Sequence, residues 1–268
     1  MLRLPSEPFS LKQGSDFPYD LTFALACNIT SALRTITPWS ALVGPEISAT
    51  MQKLLPPRIW ICNDLAAVTG SQPNFNVAKN CVLVRESLEA KARSQGECLI
   101  IAAALAERSV NGKKCHAERV FQLEKVPLKR EWFRNYTAKL LESALRPGLD
   151  HGIGLEAHGQ NMLARFHVAS ETLAGFVVRD FGGLKLHMPT LRQHGYDAKS
   201  SPPGSVITTD KLLEVWKKDH HTIFQSHLNQ LLHALKSHGD GGWAIVREEL
   251  SKFCDLGRVE RRWLFMIS

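Results

Sequence analysis

The sequence predicts an α+β fold, with a mixed-sheet region over residues 1–125 and a mainly helical region over residues 126–268. Three observations predict it. Short apolar and β-branched runs, broken by proline, asparagine and glycine, fill the first half. From Pro127 onward, apolar residues recur at three- and four-residue intervals, as on one face of a helix. Within that helical half a small β element is signalled by the run Phe176–Asp180 and the Gly182-Gly183 turn behind it.

Taken in order, Asp20–Thr37, bounded by Pro18 and Pro38, reads as a strand followed by a turn or short helix. Ile47–Leu55 has helical spacing, opened by Glu46 and stopped by Pro56-Pro57. Arg58–Ala66 and Cys81–Arg85 read as strands, with Ser71–Asn80 a polar loop between them. Cys98–Arg108 is a compact apolar segment, helix or strand, ahead of the turn Asn111-Gly112-Lys113-Lys114. Trp132, Tyr136, Leu140, Leu141 and Leu145 mark an amphipathic helix ended by Pro147-Gly148. Leu184–Met188 follows the glycine turn, and Leu191–Ser205 reads as a polar surface loop. Leu212–Lys217, Thr222–Lys236 and Trp243–Phe253 read as helices.

Composition narrows the function. Apolar residues make up 44% and charged residues 22% of 268, which excludes a disordered chain. A net charge of +7 suits an anionic ligand such as a nucleotide or citrate, or else marks a solvated surface with a small excess of lysine. There is no tight Lys/Arg run with interleaved aromatics, so a nucleic-acid partner is not expected. Nor is a membrane partner expected. The longest apolar run, Cys98–Ala106, is too short to span a bilayer, and Met1–Lys12 lacks the apolar stretch of a signal peptide. The cysteines (Cys27, Cys62, Cys81, Cys98, Cys115 and Cys254) are scattered without a C-x-x-C pair, which points to free thiols and a cytoplasmic location. Cys115-His116 is not expected to act as a thiol–imidazole pair, because adjacent side chains in a turn rarely converge.

One stretch concentrates chemistry. Gly152-Ile-Gly-Leu-Glu156-Ala-His158-Gly-Gln160-Asn161 sets a carboxylate, an imidazole and two amides within six residues. Glu156, His158 and Gln160 alternate, so on an extended chain they share a face. A helix starting at Asn161 would turn that face into a rim suited to anions. The next strand delivers Arg179-Asp180-Phe181-Gly182-Gly183, and Asp180 and Glu156 are oxygen ligands of the kind Mg²⁺ takes. The alternative is a hydrogen-bonded polar turn between a helix and a strand. Neither a Walker A nor a Rossmann glycine pattern is present.

Glu156-Ala-His158-Gly-Gln160-Asn161 followed by Arg179-Asp180-Phe181-Gly182-Gly183 resembles the signature of the NRPS-independent siderophore synthetases of the IucA/IucC type. Thr30-Ser31-Ala32-Leu33-Arg34-Thr35 is similar to that family's TSxxRT segment, with Gly44-Pro45-Glu46-Ile47-Ser48 after it, and Val84-Arg85-Glu86 to its short Arg-Glu strand. The order matches from about Asp20 to Asn229. The resemblance implies the fingers and palm parts of such a synthetase, acting in siderophore biosynthesis as an ATP-dependent ligase with Mg²⁺. Citrate or a related carboxylate would become an acyl-adenylate, and an amine or hydroxyl nucleophile would then displace AMP to give an amide or ester. It further implies that Ser31, Arg34 and Thr35 face the phosphates or the carboxylate. His158, Gln160 and Asn161 would contact the nucleotide, and Asp180, supported by Glu156, would hold Mg²⁺. Arg85 would bind the acidic substrate, with His158, Arg34 and Arg85 as the catalytic set. On spacing alone Ser31 and Thr35 equally suit helix caps, and Arg34 and Arg85 surface ion pairs.

Members of the family are about twice this long and carry an upstream His-Pro-x-His-Lys motif. His-Pro does not occur in this sequence, which therefore corresponds to a C-terminal half. Arg261-Arg262-Trp263-Leu264-Phe265-Met266 stands where a lysine-bearing strand is expected. A homodimer or a separately encoded N-terminal half is the expected partner. The alternative is a truncated non-catalytic chain, or a pseudoenzyme, that binds ligand or a partner subunit. His220, His221, His227, His233 and His238 crowd one region, and a packing or substrate-facing role suits them better than a metal site, which needs converging acidic or thiolate ligands.

Overall fold

The structure is a computed structural model describing residues 19–23, 28–29, 32–33, 36, 38–68, 81–108, 112–197 and 205–255. In chain order the elements are β1 (Tyr19–Phe23), β2 (Asn28–Ile29), β3 (Ala32–Leu33), α1 (Pro38–Leu54), β4 (Trp60–Ile61), β5 (Asp64–Val68), β6 (Val82–Glu86), α2 (Glu89–Ser94), β7 (Glu97–Ile101), α3 (Ala102–Ala106) and α4 (His116–Val120). Then come α5 (Val126–Ala144), α6 (Arg146–His151), β8 (Ile153–Gly154), β9 (Met162–His167), β10 (Leu173–Val178), β11 (Lys185–His187), α7 (Met188–Gln193), β12 (Thr208–Thr209) and α8 (Leu212–Asp219). A π-helical segment (His220–Leu228), α9 (Asn229–Leu235) and α10 (Gly242–Asp255) complete the series. The α+β class is as the sequence predicts.

Three sheets carry the architecture, beside the short β2–β3 pair. One has the order β1-β6-β5, another β4-β10-β9-β7, and a small one β12-β11-β8. The four-stranded sheet takes β4 and β7 from before residue 125 and β9 and β10 from after it. Residues 125 and 126 thus separate elements that share one sheet and one core. Helix α5 covers β10, and Tyr136 meets Phe176 edge-on at 5.0 Å between centroids. Leu140, Leu141 and Phe176 are fully buried there, each contributing about 1.5–3 kcal/mol of apolar burial.

Several elements differ from the sequence reading. Helix α1 starts at Pro38 and runs through Pro45. An interior proline costs about 3 kcal/mol, but Val43, Ile47 and Met51 are all buried on one helix face. At about 1.5–3 kcal/mol each, their burial outweighs the proline. Arg58–Ala66 is two strands in two sheets, β4 and β5, and Cys98–Arg108 is a strand that passes directly into a helix. Helix α5 ends at Ala144, just ahead of Pro147, which opens a second helix, α6, at its first turn. Leu191 is not in a loop. It is buried within α7, which Pro189 opens. The Ser71–Asn80 loop and the segment Arg261–Met266 lie outside the described residues.

Candidate active site

The site is built from two strand ends and one irregular segment. Arg85 on β6 lies opposite Asp64 on β5 and Asp20 on β1. Its Nε donates to Asp64 Oδ1 at 2.6 Å, and the side chain is 1% exposed. Burial pushes the Asp64 carboxyl above the usual carboxylate range, and the Arg85 guanidinium pulls it back down. Helix α1 fixes this pair from behind: Ser48 Oγ donates to Gly44 O and accepts Asp64 N–H, each at 2.9 Å. Arg85 is therefore a buried structural cation rather than a surface ion pair. It reaches the second strand end through Asp180, whose Oδ1 lies 4.0 Å from an Arg85 terminal nitrogen.

Asp180 follows β10 in a left-handed conformation, φ 69°, unusual for a residue with a side chain. Its Oδ1 accepts Gly182 N–H at 3.3 Å, a local bond that aspartate can make and that steadies the turn. The carboxylate is 45% exposed. Gly183 lies flat against Glu156, and any Cβ there would overlap the Glu156 carboxylate. The two carboxylates thus border one turn.

The Glu156–Asn161 segment alternates as expected: Leu155, Ala157 and Gly159 are buried, while Glu156, His158 and Gln160 are not. No helix begins at Asn161. Residues 158–161 form a turn closed by Asn161 N–H donating to His158 O at 2.9 Å, and β9 starts directly after it. The anion site expected from a helix N-terminus is therefore absent at this point. Strand pairing decides it, because Met162 pairs with Val178. Arg179 pins the turn, its Nε and a terminal nitrogen donating to Gln160 O at 3.0 and 2.7 Å. Lys218 Nζ donates to Glu156 Oε1 at 2.9 Å, and Asn161 Nδ2 reaches Glu156 Oε2 at 3.5 Å. Asn161 is buried and serves Glu156. His158 and Gln160 line a cleft of about 800 Å³ with Ser226, Asn229, His233 and His238, over a floor from α3.

Among the predicted residues, the structure brings Arg85, Glu156, Asn161 and Asp180 to one region and places His158 and Gln160 on the adjoining cleft. Ser31, Arg34 and Thr35 lie outside the described residues. Asp64 and Lys218 were not singled out from the sequence, and Arg179 was part of the signature without a role of its own. Asp64 left one trace, a charge two residues after the apolar run Trp60-Ile61-Cys62, whereas Lys218 is lost in the polar string Lys217–His221. Among the described residues no three His, Cys, Asp or Glu side chains converge as a metal cage. The Cys115 thiol, pushed up by burial, is held neutral.

Behind the cleft, His227 is fully buried, and burial pulls it down to about 4 from its ordinary 6.5. Between those values the unfolded chain binds a proton that the folded chain refuses, so stability rises with pH. Falling from pH 6.5 to 4 is expected to cost about 3 kcal/mol through this residue. Asp219 and Asp64, raised by burial, act in the opposite sense over that range. The check is therefore the difference in urea unfolding between wild type and His227→Asn across that interval, which should shrink the pH slope.

Three comparisons fit this arrangement. Residues 12–107 match the IucA / IucC family, and residues 130–256 match the family of the ferric iron reductase FhuF-like transporter. The chain is 40% identical over 250 residues to the NRPS-independent siderophore synthetase-like protein ankE of Aspergillus thermomutatus, covering 90% of this chain and 41% of that protein. It is 35% identical over 236 residues to the NRPS-independent siderophore synthetase rfs of Rhizopus delemar, covering 85% and 37%. The petrobactin biosynthesis protein AsbB of Bacillus anthracis superposes with a TM-score of 0.80 at 18% identity, over 94% of this chain and 45% of that one. ATP-bound aerobactin synthetase IucA of Klebsiella pneumoniae superposes at 0.72 and 18% identity, over 89% and 45%. The fold is thus that of part of a siderophore synthetase, and the chain spans about two fifths of the curated relatives it matches. It belongs to the IucA/IucC family of NRPS-independent siderophore synthetases. Among the described residues no helix is long and apolar enough to cross a membrane.

Proposed function

We propose that this chain carries the nucleotide- and metal-facing part of an ATP-dependent ligase of siderophore biosynthesis. The observation that carries the reading is the turn bordered by Asp180 and Glu156, backed by the buried Arg85–Asp64 pair and opening beside the cleft of His158 and Gln160. The relatives named above include siderophore synthetases, and one solved neighbour is ATP-bound. A further relative, 30% identical over 132 residues, is the D-ornithine–citrate ligase of Staphylococcus aureus.

Asp180 has the exposed carboxylate and Glu156 the supporting one, a donor set of oxygens that fits Mg²⁺. With two carboxylates and no cage, the ion would keep most of its shell as water and phosphate oxygen, which is how Mg²⁺ is usually held. It would supply charge neutralisation at the phosphates. His158 and Gln160 offer donors to an anion or a base edge in the cleft, and Arg179 keeps Gln160 in place. In the reaction a carboxylate oxygen, of citrate or a related acid, attacks the α-phosphorus of ATP and releases pyrophosphate. An amine or hydroxyl then displaces AMP from the acyl-adenylate. Negative charge builds at phosphorus in the first step, so fixed cations and N–H donors have most effect there. Arg85, too buried to meet a substrate, is assigned to positioning Asp180. Arg34, with Ser31 and Thr35, remains the proposed phosphate- or carboxylate-facing set. The family's His-Pro-x-His-Lys segment would add its lysine from a separately encoded N-terminal half, since a second copy of this sequence carries no His-Pro. The free thiols of Cys62, Cys98 and Cys115 suit a cytoplasmic setting.

MgATP titration by calorimetry tests the reading. Wild type is expected to bind, and His158→Ala and Asp180→Ala to weaken binding by about tenfold or more, the worth of one charged hydrogen bond. Citrate-dependent release of pyrophosphate then follows adenylation, with hydroxylamine displacing AMP from the acyl-adenylate to leave a hydroxamate. A folded wild-type chain that ignores MgATP would overturn the nucleotide assignment.

A further inference from the structure

Leu155–Ala157 belongs to no sheet, yet its polar groups are met from one side by one helical run. Asp219 Oδ1 accepts Leu155 N–H at 3.2 Å. Thr222 Oγ1 lies 3.1 Å from Leu155 O and 3.0 Å from Lys218 O, sharing its proton between the two carbonyls. His227 Nδ1 donates to Ala157 O at 2.9 Å. Because a carbonyl only accepts, the His227 proton sits on Nδ1, and Nε2 accepts the Tyr136 hydroxyl at 2.7 Å. Asp219, Thr222 and His227 are all buried.

The winding of the helix makes this possible. On an α-helix, residues five apart stand about 140° apart around the axis. Thr222 and His227 are five apart, and both face the same extended strip. They lie in the π-helical segment His220–Leu228, where i→i+5 bonding lengthens each turn and brings such residues round toward one face. On the extended strip, the carbonyls of Leu155 and Ala157 are two residues apart and point the same way. The longer helical turn therefore matches the two-residue repeat of the strip. Glu156 and His158 are left as the outward positions of the alternation.

We propose that the end of α8 and the π-helical segment that continues it form a positioning clamp: Asp219, Thr222 and His227 fix the backbone of Leu155–Ala157 and so set where Glu156 and His158 stand relative to each other. None of the three lines the cleft; each acts through the segment it holds. The proposal rests on the nucleotide reading for its functional consequence, but the clamp itself is measurable without nucleotide.

The test compares the full chain with His227→Phe, His227→Asn and Thr222→Val by amide hydrogen exchange and by MgATP calorimetry. His227→Phe and Thr222→Val are expected to speed exchange over residues 155–161 by about tenfold relative to β9 and β10, and to weaken MgATP by about tenfold, each matching the loss of one buried hydrogen bond. An asparagine amide can donate to Ala157 O in place of Nδ1, so His227→Asn should stay within about threefold of wild type on both measures. A general loss of packing would not be rescued in this way. If His227→Phe fails to fold, Thr222→Val, nearly isosteric, decides. Folded variants that exchange and bind as wild type does would overturn the clamp. If wild type itself binds no MgATP, the nucleotide reading falls, and exchange alone decides the clamp.

Discussion

Arg85→Leu is expected to lower the unfolding free energy by about 3–5 kcal/mol, because it strands the Asp64 carboxylate without its cation in a buried site. Two charges taken from water together are tolerable; one alone is not. The double variant Arg85→Leu/Asp64→Leu should therefore recover most of the lost stability, since a well-packed apolar pair often equals a buried ion pair. It should not recover MgATP binding, because Asp180 would still lack the cation 4.0 Å away. Urea unfolding of the two variants, beside calorimetry, separates the effects. A single variant within about 1 kcal/mol of wild type would mean that the pair does not hold β5 to β6.

Gly148→Ala should also destabilise, against the usual trend. In a helix, glycine to alanine ordinarily gains about 0.5–1 kcal/mol. Here the new methyl would overlap Asp219 Oδ2, and the fully buried Asp219 cannot swing into solvent to make room. Overpacking of that kind costs about 1–3 kcal/mol, so the clash outweighs the propensity. It also pushes on the Leu155 N–H bond that begins the clamp. Adding Asp219→Ala to Gly148→Ala removes the overlap and should return the helix gain, though not the clamp. Thermal unfolding of the single and double variants checks the sign. A stabilised Gly148→Ala would show that Asp219 does not fill that space.

The segments most legible in the sequence were those whose chemistry is local. The alternation of Glu156, His158 and Gln160 reappears as alternating burial, because an extended chain turns successive side chains to opposite sides wherever it lies. The Gly182-Gly183 turn is equally local. Long apolar periodicity, as from Trp132 to Leu145, announced α5 for the same reason. Where local rules failed, packing had overruled them. Pro45 did not break α1 because three buried side chains share its core face. Asn161 did not start a helix because Met162 was claimed by pairing with Val178 at the end of β10.

The sequence by itself determined the class of fold, the family and the residues that concentrate polar chemistry, since composition, periodicity and short motifs are written in neighbouring residues. Only the tertiary structure decided which of them meet and what each does. Arg85 is separated from Asp64 by 21 positions and from Asp180 by far more, yet the three form one chain of charge. Lys218 and His227 reach Glu156 and Ala157 across 62 and 70 positions. Such pairings follow from strand order and from the winding of one helix, and the residues beside each partner carry no mark of them. Burial then made Arg85, which the sequence left between a substrate contact and a surface ion pair, a core cation, and held a histidine neutral so that its one proton points at a backbone carbonyl.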